Sequence, residues 1–210
     1  MIKLKNLLEL NKITYNLGPT GKHKKRMMQP LTIFESEYTL PNQLPPENGS
    51  KETLRELKYL SEIAEDDDIV REVKYFDKIK ESFRELLEMN NLPYEKDFVK
   101  SVLRETGKFT AELKYRYNRP RPFQLAKFYG IELNGTLLES MNSPSYPSGH
   151  AIQGYVLGGH YAKKYPKLKE KFLEYGENVA HSRICAKAHY PSDKQFGKVV
   201  ANRLLLMIKD

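Results

Sequence analysis

The sequence predicts an all-α, single-domain helical bundle. Three observations carry that reading. Apolar residues recur every three or four positions through most of residues 50–208, the period of a helix with one buried face. The prolines fall between those periodic stretches and not inside them, as punctuation does. No pair of alternating strands flanks a hairpin turn, and Asn134-Gly135 stands alone. At 210 residues the chain suffices for one good-sized domain or two small ones, and it contains no internal repeat.

Residues 1–48 read as an irregular N-terminal segment. Gly18-Pro19, Pro30, Pro41, Pro45 and Pro46 interrupt it, and that density opposes a long helix. Its basic run, His23–Arg26, reads as a solvated loop, because it lacks a nucleic-acid-binding fold signature and interleaved aromatics. The helical domain is expected over residues 49–210. Ser50 is a natural N-cap for a helix carrying Leu54, Leu57, Leu60 and Ile63. The acids Glu65–Asp68 suit the positive end of the next helix, whose period runs from Ile69 through Phe76 and Phe83 to Leu87. Asn90, Asn91 and Pro93 end it. A further helix is expected over about 94–117, stopping before Pro120. Residues 118–147 look like a linker, with four prolines and two glycines. Helical periodicity returns over 148–165, 166–187 and 192–208.

Composition narrows the function. No run approaches the roughly 20 apolar residues that span a bilayer, so no membrane span is expected. The N-terminus has no apolar core followed by small residues, so it does not read as a secretory signal. The single cysteine, Cys185, can form neither an intramolecular disulfide nor a cysteine-based zinc site. A cytoplasmic location is expected on these grounds, with the periplasm left open should the chain be processed or exported by another route. The net charge of +8 is unevenly spread: +3 in residues 1–48, −4 in 49–100 and +9 in 101–210. An anion site is therefore to be sought in the C-terminal half.

Three segments there carry chemistry. Lys114–Pro122 packs Lys114, Arg116, Arg119 and Arg121 together with no acid, an arrangement that repels itself unless solvent or an anion meets it. Ser145–His150 falls where a helix begins. There, unpaired N–H groups, the helix dipole and a glycine without a side chain favour an anion, with His150 in the first turn. Ser182–Asp193 supplies Arg183, His189 and Asp193. A carboxylate at 193 can accept from His189 Nδ1–H and leave Nε2 as a free lone pair. Each segment has a bland reading as well: a surface basic patch, a helix cap, a structural His–Asp pair.

Together the segments read K-x6-R-P, P-S-G-H and S-R-x5-H-x3-D, through Lys114, Arg121, Pro122, Pro147–His150, Ser182, Arg183, His189 and Asp193. This set resembles the phosphatidic acid phosphatase type 2 / vanadium haloperoxidase superfamily. The wording of Tyr117–Phe123, Ser145–His150 and Ser182–Cys185 is similar to the soluble bacterial class A non-specific acid phosphatases, over roughly residues 44–205. Two features depart from that class: it is exported, and it usually has Trp where Tyr190 follows His189.

The resemblance implies the helical bundle of that superfamily and metal-independent hydrolysis of small phosphate monoesters through a phosphohistidine. It implies His189 as nucleophile, Asp193 as its partner and His150 as acid and then base. It implies Lys114, Arg121, Ser148, Gly149 and Arg183 as the phosphate cradle, with no metal and no cofactor, although vanadate or phosphate could occupy the site. Vanadate-dependent haloperoxidase chemistry and an inactive anion- or nucleic-acid-binding module are the alternatives. Nucleic acid is not the expected partner, and a homo-oligomer is compatible with the sequence. Outside the motifs, Arg116, Arg119 and Lys187 are expected to enrich the approach field, and Tyr146 and Tyr190 to line the mouth or to pack.

Overall fold

In the computed structural model, which describes residues 9–136, 138 and 141–209, the chain runs through a series of helices. These are α1 (Gly21–Met27), α2 (Lys51–Glu62), α3 (Asp67–Asp77), α4 (Ile79–Met89), α5 (Lys96–Tyr117), α6 (Pro122–Ala126), α7 (Gly149–Lys164), α8 (Lys169–Cys185) and α9 (Pro191–Leu205). Short 3-10 turns follow α6 and α7. The described residues hold no strand, only an isolated antiparallel bridge between Phe34 and Ile208. Residues 1–8 of the N-terminal segment, half of the stretch read for a signal, lie outside the described residues, as do 137, 139, 140 and 210.

Capping side chains begin the helices where expected. Ser50 Oγ accepts from Thr53 N at 3.1 Å, Asp66 Oδ1 from Ile69 N at 2.8 Å and Ser148 Oγ from Ala151 N at 3.3 Å. Each occupies one of the N–H groups that a helix start leaves unpaired. The expected helix over 69–87 is two helices. Lys78, with φ −93° and ψ 60°, breaks it, while the apolar positions keep their spacing across the break, so periodicity gives no sign of it. The linker-like 118–147 contains α6 and a 3-10 turn.

Helices α7, α8 and α9 form the centre. A Cβ on Gly158 would lie 2.6 Å from the Phe172 carbonyl oxygen, and one on Gly176 would lie 2.6 Å from that of Gly154. The glycines therefore let the backbones of α7 and α8 approach more closely than any side chain permits. Residue 154 meets 176–179 and residue 158 meets 172–176, so the two run antiparallel. Gly197 lies against Ala151 and Ser148, and Gly159 against Leu205, so α9 runs parallel to α7. Helix α5 is antiparallel to α7, with Thr110 beside Gly149 and the Leu103 carbonyl receiving Gln153 Nε2. This alternation brings the starts of α7 and α9 and the ends of α5 and α8 to one pole. The core beneath includes Phe83, Phe109, Val156, Tyr161, Phe172 and Phe196.

The N-terminal segment is strapped across α5. Buried Glu105 accepts from the backbone N–H groups of Thr32, Ile33 and Phe34 at 2.9, 3.1 and 3.3 Å. Burial alone would raise the Glu105 pKa, but the bonds from Thr32, Arg104 and Ile33 outweigh it and leave the carboxyl below its ordinary value. Glu35 N and Lys209 N donate to the Met207 and Ile33 carbonyls at 3.0 and 2.9 Å, joining the strap to the C-terminus. The basic run read as a solvated loop lies instead in α1, packed on α5. Thr20, whose Oγ1 accepts from His23 N, starts that helix.

Candidate active site

At that pole a cavity of about 750 Å³ opens. Lys114, Gly149, His150 and His189 line it, together with Asp77, Thr110, Ser143 and residues of α1. The other four predicted residues, Arg121, Ser148, Arg183 and Asp193, stand buried directly behind this wall.

His189 and Asp193 are joined as their spacing predicts. Asp193 falls in the first turn of α9, where its Oδ2 accepts from Tyr190 N at 3.0 Å and lies 3.1 Å from His189 Nδ1. A carboxylate only accepts, so Nδ1 carries the proton. Nε2 then presents its lone pair, which accepts from Arg121 Nη1 at 2.9 Å. Burial, then Arg121, holds the His189 pKa well below the ordinary histidine value, against the pull of Asp193, so the ring is neutral. Burial would raise the Asp193 pKa, but Arg119 and His189 overcome it and bring the carboxyl down to about 2.

Arg119 was expected to enrich the outer field. It is 2% exposed and braces the dyad from behind. Its Nη1 donates to Asp193 Oδ1 at 2.7 Å and to Ser192 Oγ at 2.8 Å, and its Nη2 to Glu56 Oε2 at 3.0 Å. Glu56 Oε1 accepts in turn from Ser192 N at 2.6 Å. The guanidinium lies 3.8 Å from the Tyr190 ring centroid, a close cation–π contact. Tyr190 and Tyr146 are fully buried; they pack and do not line the mouth. Lys187 pairs with Glu65 and so is not free for the approach field either.

The cations are also spoken for in part. Arg121 donates through Nε to the Ser143 carbonyl and through Nη1 to the Ala188 carbonyl, both at 2.8 Å. Burial lowers its pKa to about 10, which leaves it cationic. Lys114 Nζ donates to the Pro144 carbonyl. Burial, then Arg121, holds its pKa well below the ordinary lysine value. An anion beside Lys114 opposes both effects. The α7 start contributes Gly149, where a Cβ would press on Thr110 at 3.1 Å. Ser148 serves as the cap of that helix, and its own N–H donates to the Asp193 carbonyl at 3.1 Å, tying the two helix starts together.

Asp77 is the residue that sequence reasoning missed. It ends α3, and its Oδ1 accepts from Arg183 Nη1 at 2.6 Å and from His150 Nε2 at 3.1 Å. Arg183 also donates through Nη2 to the Val73 carbonyl at 2.7 Å. Burial lowers the His150 pKa, and Asp77 raises it in part. Asp77 is 106 positions from Arg183 and sits inside a run that reads as continuous helix, so nothing local marked it.

Among the described residues, no group of three or more His, Cys, Asp and Glu is placed to hold a metal ion, and no helix is long and apolar enough to cross a membrane. Comparison with known proteins finds a match to the family model described as PAP2 superfamily over residues 100–209, the stretch that holds all three motifs. A non-specific acid phosphatase of Providencia stuartii is 32% identical over 95 residues, 44% of this chain and 37% of that protein. An acid phosphatase of Zymomonas mobilis is 27% identical over 122 residues, 55% of this chain and 44% of that protein. The chain thus spans less than half the length of the curated relatives it matches.

Proposed function

Because the chain belongs to the PAP2 superfamily, we propose that it is a metal-independent phosphomonoesterase acting on small phosphate esters through a phosphohistidine on His189. The observation that carries this reading is the buried His189–Asp193 dyad, with a neutral ring whose Nε2 lone pair lies among cations at the cavity wall. The named activities of the two bacterial relatives agree with it.

Arg121 Nη1 donates to the Nε2 lone pair. A phosphate dianion takes over that guanidinium N–H and frees the lone pair for attack. Nε2 then forms the N–P bond as the ester P–O bond breaks, and Asp193 stabilises the charge that develops on the ring. Lys114 and Arg121, with the Gly149 N–H and Arg183, hold the equatorial oxygens in the transition state. Arg183 spends three of its five N–H donors on Asp77, Val73 and Ser182, and the remaining two can serve phosphate. His150 gives its proton to the departing alkoxide, then removes one from the water that cleaves the N–P bond and restores His189. With Nε2 held by Asp77, Nδ1 is the nitrogen that exchanges this proton. The cavity volume suits a small ester, and the clustered cations supply the charge neutralisation.

Hydrolysis of p-nitrophenyl phosphate in EDTA tests the reading. Turnover should be inhibited by vanadate and lost, by roughly a thousandfold or more, in His189→Ala. Retention of activity in that variant would remove the proposed nucleophile. Peroxide-dependent bromide oxidation with vanadate, in place of hydrolysis, would favour the haloperoxidase.

A further inference from the structure

The basic run of α1 is not absorbed by the reaction just described, yet one face of it belongs to the cavity. Lys22, His23 and Arg26 line it, together with Thr20. Their spacing of three and four places them on one helix face. Lys24 and Lys25 do not line the cavity. We infer that this face of α1 is a second anion subsite, and that the substrate is a phosphomonoester whose leaving group carries another phosphate. The inference rests on the phosphatase reading and names the substrate class of the same site.

Five observations support it. Asp77 is the sole carboxylate among the described lining residues, and it is engaged by Arg183 and His150. Neither Lys22 nor Arg26 takes part in an ion pair among the described residues. The Arg26 side chain lies on Gly107 of α5, where a Cβ would be 3.1 Å from its Cδ and 3.4 Å from its Nε; the glycine gives the arginine its seat. His23 is fastened by Tyr115 Oη at 2.8 Å and Thr20 Oγ1 at 3.0 Å from its Nδ1. Burial, then Arg26, Lys114 and Lys22, lowers the His23 pKa, so these cations share one field with the cradle. Lys22 is exposed and Arg26 half-buried, and like charges held together repel unless solvent or an anion meets them.

Spacing sets the kind of substrate. Gly107, beneath Arg26, precedes Lys114 by seven residues on α5, about 10 Å along the helix axis. The second phosphate is then carried across a carbon skeleton, as in a sugar or nucleoside bisphosphate, toward the Arg26 side chain seated on Gly107.

The test compares phosphate release from adenosine 5′-monophosphate, adenosine 5′-diphosphate and adenosine 3′,5′-bisphosphate. In the unmodified protein the bisphosphate should have the highest kcat/KM, by about tenfold over the monophosphate. K22Q/R26Q should remove most of that preference, and R26K should keep it, which separates charge from folding. Equal kcat/KM for the three nucleotides, a preference for the diphosphate, or an equal loss on mono- and bisphosphate in K22Q/R26Q would each overturn the subsite while leaving the phosphatase reading intact. Absence of hydrolysis of all three and of p-nitrophenyl phosphate would overturn the phosphatase reading itself. Calorimetric binding of the same nucleotides then decides the subsite: tighter bisphosphate binding that is lost in K22Q/R26Q supports it, and equal binding of the three rejects it.

Discussion

His150 and His189 are both held below the ordinary histidine pKa by burial, but their neighbours differ. His189 faces Arg121 and Lys114, which push it further down; His150 faces Asp77, which pulls it back up, and Arg183, which opposes that pull. A nucleophile must be neutral and a general acid protonated, so these neighbours suit the proposed roles of His189 and His150. Because kcat/KM reports the free protein, activity should fall as pH rises through the His150 pKa, which lies below that of a free histidine. Asp77→Asn removes the group that raises this pKa. The alkaline limb of the kcat/KM profile should therefore move to lower pH, while the contribution of His189 at the acid end stays. A pH–rate profile that drops uniformly without moving would show Asp77 to be merely structural. Most of these residues were legible in sequence because the chemistry needs His, Asp and Arg at close local spacing. Asp77 and Arg119 were not, since each acts through a partner brought from far along the chain.

At the scale of elements, the site depends on how closely helices α7 and α8 pack. Gly176 sits on the Gly154 carbonyl, and backbone cannot rotate out of the way as a side chain can. Gly176→Ala should cost about 2–3 kcal/mol, at the upper end of overpacking effects, and lower Tm by roughly 5–10 °C for a chain of this size. Gly21→Ala, where nothing lies within 4 Å of the added Cβ, is the control and should leave Tm unchanged within about 2 °C. Helix starts were legible at Ser50, Asp66 and Ser148, because capping is a local hydrogen bond. The break at Lys78 was not. It matters because α3 ends there, with Asp77 beside His150 and Arg183.

For the whole molecule, Lys114, with Arg121 and Arg183 buried behind it, and the cations of α1 meet at one cavity. A field of this kind concentrates anions and is screened by salt. Raising NaCl from about 20 to 200 mM should lower kcat/KM for an anionic ester several-fold through KM, with little change in kcat. Insensitivity of kcat/KM to salt would mean that the internal pairing of Arg119, Arg183 and Lys187 has cancelled the field outside.

The sequence by itself determined the helical class, the starts of the principal helices and the three motifs, because periodicity, capping and the His–Asp spacing are all local. Family membership followed from the same local words. Only the tertiary structure decided that α1 belongs to the cavity, that Arg119 braces Asp193 from behind, and that Asp77 joins Arg183 to His150. Each of these is a contact between segments some 70 to 110 residues apart. Such contacts are set by close packing of helices, whose crossing points no local pattern records.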